Sequence, residues 1–352
     1  MRYHLECLRC GKEHGSDYAR QICSKCGGIL DVRYGGRLPR IRSAGKFWDY
    51  EPVLPDCDYR HYELGSTRLI TSHERGNVFL KLEIDNPTRS FKDRGSIIEV
   101  SKAKEYGYRE ITLASTGNMA YSVAHYANLA GIKVKVFLSR GANRDKVKDI
   151  RQEKDSNMDF VSGDFTKAQK LAERYAKKTG AFLAGDYCYR KEGQKTVGYE
   201  IIDQLPGVTH IIVPVGNATL ISGVFRALKE MKASGRIRSL PKIIAVQAAG
   251  SDPLVRAFKS GGDIRYVTPR TAADAIAVGF PTFGDQALDA LVETKGDAIA
   301  VSDREMEKER KEFYREYGLI AEPAGVASLA ALRKLRTESR DKIVCVISGG
   351  NV

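Results

Sequence analysis

Short apolar runs separated by helix-length stretches limit the folds open to this chain more than any other feature. Ile111-Thr112-Leu113-Ala114, Val134-Lys135-Val136-Phe137-Leu138 and Met158-Asp159-Phe160-Val161 alternate with helical patterns over 117–130, 144–154 and 166–178. Further runs lie at 78–83, 210–215, 242–246 and 342–347. Such alternation implies parallel sheets covered on both faces by helices. Ligands in these folds bind beyond the carboxyl ends of the strands, so the loops after these runs are where chemistry is expected. At 352 residues the chain is long enough for two domains.

Composition excludes some function classes. A hydrophobic share of 42% and a charged share of 29% suit a soluble enzyme. No apolar run approaches membrane-spanning length, and the N-terminus lacks the apolar core of a signal peptide. The expectation is a cytoplasmic protein with no membrane partner. The net charge of +13 suits an anionic metabolite or a solvated lysine-rich surface. Basic residues are spread along the whole chain without a basic arm interleaved with aromatics, so no nucleic-acid partner is expected.

Four of the seven cysteines form two pairs, Cys7-x2-Cys10 and Cys23-x2-Cys26, with twelve residues between them. Gly11 and Gly27 follow the pairs and allow two tight turns, each presenting two thiolates. This spacing predicts a structural zinc held by Cys7, Cys10, Cys23 and Cys26 rather than disulfides. Four thiolates leave no open coordination position, and a ribbon this small depends on its metal to fold. Cys57, Cys188 and Cys345 are scattered, and Cys345 reads as core.

Asn86-Pro87-Thr88-Arg89-Ser90-Phe91-Lys92-Asp93-Arg94-Gly95 separates an apolar run from a helical pattern. Asn-Pro turns the chain, and Ser90 is a candidate N-cap for a helix starting near Phe91. Lys92 then lies in a first turn, where the helix field eases loss of its proton. A neutral amine is what attack on a carbonyl requires. Downstream, Ser115-Thr116-Gly117-Asn118 is a turn at a helix start that either binds an anion such as a carboxylate or simply caps the helix. Val215-Gly216-Asn217-Ala218-Thr219-Leu220 is a strand-to-helix turn whose N–H groups could cradle a phosphate, or a tight turn without a ligand. Ser348-Gly349-Gly350-Asn351 follows the last strand, and Glu322-Pro323-Ala324-Gly325 opens a helix with proline where proline is tolerated. A lysine, an anion turn, a phosphate turn and a terminal hydroxyl suit a cofactor with an aldehyde, a phosphate and a ring nitrogen, which is pyridoxal phosphate.

These motifs, together with Glu192-Gly193-Gln194-Lys195-Thr196, resemble the fold-type II pyridoxal phosphate enzymes, and among them the threonine synthases. The resemblance covers nearly the whole chain and implies an α/β fold of two three-layer parallel-sheet domains behind an N-terminal zinc ribbon. It implies a ribbon over 1–37, a large cofactor-binding domain from 38–90 and 190–352, and a small mobile domain over 91–189. Residues 34–62, with Pro39, Pro52 and Pro55, read as an irregular connecting arm. By the same resemblance Lys92 forms the Schiff base and shuttles the proton. Gly216, Asn217, Ala218 and Thr219 hold the cofactor phosphate, Asn118 bonds its phenolic oxygen, and Ser348 faces its pyridine nitrogen. Ser115 and Thr116 hold the substrate carboxylate, and Arg190 matches an arginine near the substrate phosphate.

Three departures divide the substrate reading. Arg89 stands where threonine synthases usually have glycine, Met119 where a small or hydroxylated residue is common, and the Ser-Gly-Gly-Asn ending matches serine and threonine dehydratases. Arg89 either reaches a substrate anion, points to solvent or pairs with an acid such as Asp85. The expected reaction is threonine formation from O-phosphohomoserine and water, by elimination and replacement on a phosphorylated amino acid. Dehydration of serine or threonine and β-replacement on O-phosphoserine are the alternatives, and a non-catalytic zinc-ribbon binder is the rival from another class. The enzymes it resembles are usually homodimers.

Overall fold

The structure, a computed structural model, describes residues 2–36, 39, 41, 46–58, 62–115, 117–139, 144–162 and 165–350. It begins with β1 (Tyr3–Cys7), β2 (Glu13–His14) and β3 (Leu30–Tyr34), an antiparallel sheet in the order β2-β1-β3. Next come β4 (Leu69–Thr71) and β5 (Val78–Leu82), leading to α1 (Lys92–Glu105). Strand and helix then alternate: β6 (Glu110–Ser115), α2 (Asn118–Ala130), β7 (Lys133–Ser139), α3 (Arg144–Gln152), β8 (Ser156–Val161), α4 (Phe165–Thr179), β9 (Phe182–Leu183) and α5 (Cys188–Gln194). The remainder carries α6 (Thr196–Gln204), β10 (His210–Pro214), α7 (Thr219–Ala233), β11 (Lys242–Ala248), β12 (Asp297–Val301) and β13 (Ile343–Ile347), with further helices between.

The chain divides into two compact units. The first combines the N-terminal sheet, Phe47–Glu63 and Lys92–Gln194. Its main sheet, β8-β7-β6-β9, is wholly parallel. The second contains Leu64–Phe91 and the chain from Lys195 onward, around a sheet ordered β12-β11-β10-β13-β5-β4. That sheet is parallel except for the edge strand β4, which runs antiparallel to β5. Its central strands β10 and β13 are buried at every residue, which is why their sequences are apolar without alternation. At the edge, β8 alternates half-buried and exposed positions over 156–159, then exposes Phe160 and buries Val161. No helix among the described residues is long and apolar enough to cross a membrane.

Two boundaries differ from the sequence expectation. Residues 47–63 group with the first unit: Phe47–Val53 form a 3-10 helix that buries Phe47, Tyr50 and Val53. Aromatic anchoring, not the prolines, decides where this segment goes. The first unit also extends to Gln194, because α5 packs on α1 through glycines. A Cβ at Gly193 would lie 1.9 Å from the Arg94 carbonyl oxygen, and one at Gly95 would lie 2.5 Å from Arg190 Cγ. Neither position has room for a methyl group.

Gly193→Ala should therefore force α5 off α1 and destabilise the protein by about 2–4 kcal/mol, read from denaturant unfolding. Gly107→Ala makes a comparison free of any clash, since nothing lies within 4 Å of its Cβ position; its left-handed backbone, φ 78°, is the source of any cost there.

Candidate active site

The segment that precedes Lys92 in the chain is clamped within the second unit. Asn86 donates through Nδ2 to the Glu83 carbonyl and Glu83 Oε2, both at 2.9 Å, and accepts the Gly65 N–H at 2.9 Å. The Arg89 N–H closes the turn onto the Asn86 carbonyl at 2.7 Å, with Pro87 at the second position, where its fixed φ fits. Ser90 then bridges to Gly349, the Phe91 N–H donates to the Ser348 carbonyl at 3.1 Å, and the Gly350 N–H donates to the Arg89 carbonyl at 2.9 Å. The helix starts at Lys92, one residue later than the sequence suggested, and Ser90 forms an isolated bridge with Gly349.

Lys92 is 15% exposed, and its Nζ lies 3.5 Å from Asp186 Oδ1. Burial is the main reason its ammonium is held below the usual lysine range; the nearby Arg190 charge adds to this, while Asp186 opposes it. The helix-terminus field invoked from sequence acts in the same direction, but desolvation dominates. Asp186 was missed in the sequence; the available signal was an acid just past the short strand β9. Asp93, also in the first turn, is buried, with the Ser122 hydroxyl 2.6 Å away.

Arg190, expected near a substrate phosphate, is engaged within the protein. It is fully buried, and its guanidinium donates to the Lys92 carbonyl at 3.3 Å, Ser96 Oγ at 3.1 Å, the Gly185 carbonyl at 2.9 Å and Glu99. The fork that would read a phosphate is engaged by the protein. Lys195, the other lysine in the neighbouring motif, is also fully buried, 3.1 Å from Glu230.

Ser115 Oγ accepts the Gly117 and Ala120 N–H groups, each at 3.1 Å, so it caps α2. Asn118 is the first residue of that helix and is buried. Gly117 leaves space for the stem of Lys146, whose Cδ would be 2.1 Å from a Cβ there. Thr116 and Asn351 lie outside the described residues.

In the second unit the turn after β10 departs from ordinary geometry. Ala218 has φ 63° as the N-cap of α7, a left-handed backbone that costs a residue with a Cβ roughly 1–2 kcal/mol. Among the described residues, the Gly216 and Ala218 amides donate to no protein acceptor, although Ala218 is 2% exposed. Orphaned amides at the start of a fifteen-residue helix fit an anion. Phe283 N–H donates to the Asn217 carbonyl at 3.0 Å, and Thr282 Oγ1 lies 3.2 Å from Asn217 Oδ1. Ser348 is buried, and its N–H donates to the Gly325 carbonyl at 3.2 Å. Arg89 also has a left-handed backbone, φ 62°, and is half-buried. Asp85 is held instead by Arg68, at 2.8 and 2.9 Å. Among the described residues the Arg89 guanidinium has no hydrogen-bond or ion-pair partner.

The four cysteine Sγ atoms lie within 4.8 Å of one another, with Cys7 to Cys26 at 3.4 Å and Cys10 to Cys23 at 3.8 Å. Zinc–sulfur bonds of about 2.3 Å place tetrahedral sulfurs roughly 3.8 Å apart, so the set fits a metal ion. The Arg9 and Lys25 amides point at Cys7 and Cys23 Sγ, both at 3.4 Å, as two equivalent turns.

Comparison with known proteins agrees with this chemistry. The family model described as "Pyridoxal-phosphate dependent enzyme" matches residues 62–349. The chain is 35% identical to the threonine synthase of Methanosarcina acetivorans over 99% of its own length and 91% of that protein. It is 35% identical to that of Methanocaldococcus jannaschii over 97% and 91%. Among solved structures, maize serine racemase superposes with a TM-score of 0.71 at 27% identity, covering 81% of this chain and 88% of that one. A fungal L-serine ammonia-lyase from Rhizomucor miehei shares the fold, with a TM-score of 0.73 at 22% identity, covering 82% and 94%. With a part-buried lysine at a helix start, orphaned amides at another and a match across most of its length, this chain belongs to the pyridoxal-phosphate dependent enzyme family.

Proposed function

We propose that the protein is a threonine synthase-like lyase acting on a phosphorylated amino acid, O-phosphohomoserine first, with water as the incoming group. The observation that carries this is the near-complete alignment with two proteins named threonine synthase. Pyridoxal phosphate, when bound, supplies an electron sink that stabilises negative charge developing on an amino acid. Lys92 holds the cofactor through Nζ and afterwards moves a proton there, a task suited to an amine held below its ordinary range. Asp186, 3.5 Å away, keeps that nitrogen oriented. Gly216 to Thr219 bind the phosphate through backbone N–H groups, and Asn118 and Ser348 hold the ring's polar atoms. Ser115 and Thr116 take the substrate carboxylate. The ribbon cysteines hold one structural zinc. A cytoplasmic homodimer completes the reading, and sedimentation tests the oligomer.

For the substrate phosphate the structure favours Arg89 over Arg190. Arg190 is committed to Glu99, whereas the Arg89 guanidinium has no partner among the described residues, on a left-handed backbone that glycine would adopt without strain. A guanidinium binds phosphate through two parallel hydrogen bonds, which offsets that strain. The second reading, deamination of unphosphorylated serine or threonine, is favoured by the Ser348-Gly349-Gly350 ending.

Borohydride reduction and peptide mapping should place the pyridoxyl group on Lys92; finding it on Lys195 would refute the assignment. Ala218→Asp keeps a residue type tolerant of left-handed backbone yet adds like charge, so cofactor affinity should fall more than the roughly tenfold to hundredfold expected for one charge-assisted hydrogen bond. Unchanged affinity would move the phosphate elsewhere. Arg89→Gly should raise KM for the phosphorylated substrate about tenfold to a hundredfold while leaving stability equal or higher. If plain serine or threonine turns over faster than every phosphorylated amino acid tested, the second reading holds.

A further inference from the structure

The cysteine-bearing sheet packs within the first unit against the element that supports Lys92, and its side chains meet α5 residue by residue. Tyr3 OH lies 3.1 Å from Tyr189 OH. Gln21 Nε2 donates to Glu99 Oε1 at 3.3 Å and to the Leu183 carbonyl at 3.1 Å, while Gln21 Oε1 lies 3.8 Å from Cys188 Sγ. Asp31 forms a buried ion pair with Lys191, and Tyr34 OH donates to Glu192 Oε2. Glu99 is the same carboxylate that pairs with Arg190, whose guanidinium donates to the Lys92 carbonyl. The path from the ribbon to the first turn of α1 is therefore Gln21, Glu99, Arg190, Lys92, with three parallel contacts holding α5.

A surface zinc knuckle has no need of this. Asp31 and Lys191 are each 2% exposed, and Glu99 and Arg190 are fully buried. Charges removed from water must be paired to be tolerated, so losing either pair is costly; Asp31 also lies 3.5 Å from Arg33 Nη1. The glycine contacts at Gly95 and Gly193 leave α5 no freedom to shift without moving α1. A ribbon this small is ordered by its metal, so the state of the cysteines decides whether Gln21 and Asp31 are in place.

We propose that the cysteine ribbon is a positioning element for Lys92, with Gln21 and Asp31 holding α5 so that Arg190 fixes the first turn of α1. Lys92 touches neither residue; the ribbon acts on it through Arg190 and Glu99. The idea rests on Lys92 being the cofactor lysine, but the coupling itself is measurable without the cofactor.

The experiment uses the full-length protein and follows zinc content, amide hydrogen exchange and the cofactor's visible band together. Gln21→Leu should retain one zinc per chain yet speed exchange over 92–96 and 188–194 by roughly tenfold or more, as expected when a hydrogen bond to a charged group is lost. It should also shift the visible band, which a purely structural contact would leave unchanged. Asp31→Asn should do the same through Lys191, whereas Lys191→Arg on the native Asp31 background, which keeps the ion pair, should retain wild-type behaviour. Stripping zinc with a chelator should loosen 92–96 and 188–194 while the strands 210–214 and 343–347 stay protected. If Gln21→Leu and Asp31→Asn leave both the exchange of 92–96 and the visible band at wild-type values, the ribbon does not position Lys92 and the proposal fails. Wild-type protein that never turns yellow with pyridoxal phosphate would reject the cofactor reading instead, and the exchange result would still decide the coupling.

Discussion

The close contact between α1 and α5 is the constraint on which the first unit depends. Two glycines let the helices approach until backbone meets backbone, and inside that contact Arg190 and Glu99 form an ion pair without access to water. Burial pushes the Glu99 carboxyl upward while the guanidinium pulls it back. A desolvated pair adds little net stability, but removing either partner leaves a buried charge without its counter-charge. Such a pair therefore specifies geometry more than it contributes free energy. Here it ties the first turn of α1 to α5, and Lys92 opens that turn.

In the second unit, two turns expected to meet a ligand carry backbone strain. Among the described residues only five other than glycine have left-handed backbones, and two of them are Arg89 and Ala218. Each lies in a segment expected to meet a ligand, and each is held by its surroundings: Arg89 by the clamped Asn86 turn and Gly350, Ala218 by the helix it begins. Conformations that cost about 1–3 kcal/mol persist where neighbouring structure over-determines them. At Ala218 the result is amides turned away from protein acceptors. At Arg89 it is a guanidinium retained where a glycine would be free of strain.

The solved structures that share this fold include a serine racemase and an L-serine ammonia-lyase, whereas the relatives similar over nearly the whole chain are threonine synthases. One α/β framework carries these chemistries, so the fold by itself leaves the substrate open. The proposed assignment of the substrate phosphate to Arg89 rather than Arg190 bears on that choice, because a guanidinium suits a phosphorylated side chain better than a plain hydroxyl.

Much of the molecule was legible before any coordinates. Uniformly apolar runs marked β10 and β13 because strands buried on both faces need no alternation. The cysteine spacing marked the ribbon, and the turns at Lys92, Ser115 and Gly216 marked strand-to-helix junctions, because local backbone chemistry decides such features. What sequence could not reveal depended on residues far apart in the chain. Phe47 and Tyr50 bury themselves in the first unit, Asp186 comes to within 3.5 Å of Lys92, and Gln21 reaches Glu99 across seventy-eight positions. The motif around Arg190 suggested a phosphate contact; its burial beside Glu99 arises only when α1 and α5 pack. Local pattern thus determined the elements and the chemistry available at their ends. Desolvation and pairing, which exist only once distant segments meet, decided which charged groups are engaged by the protein and which are left to meet a ligand.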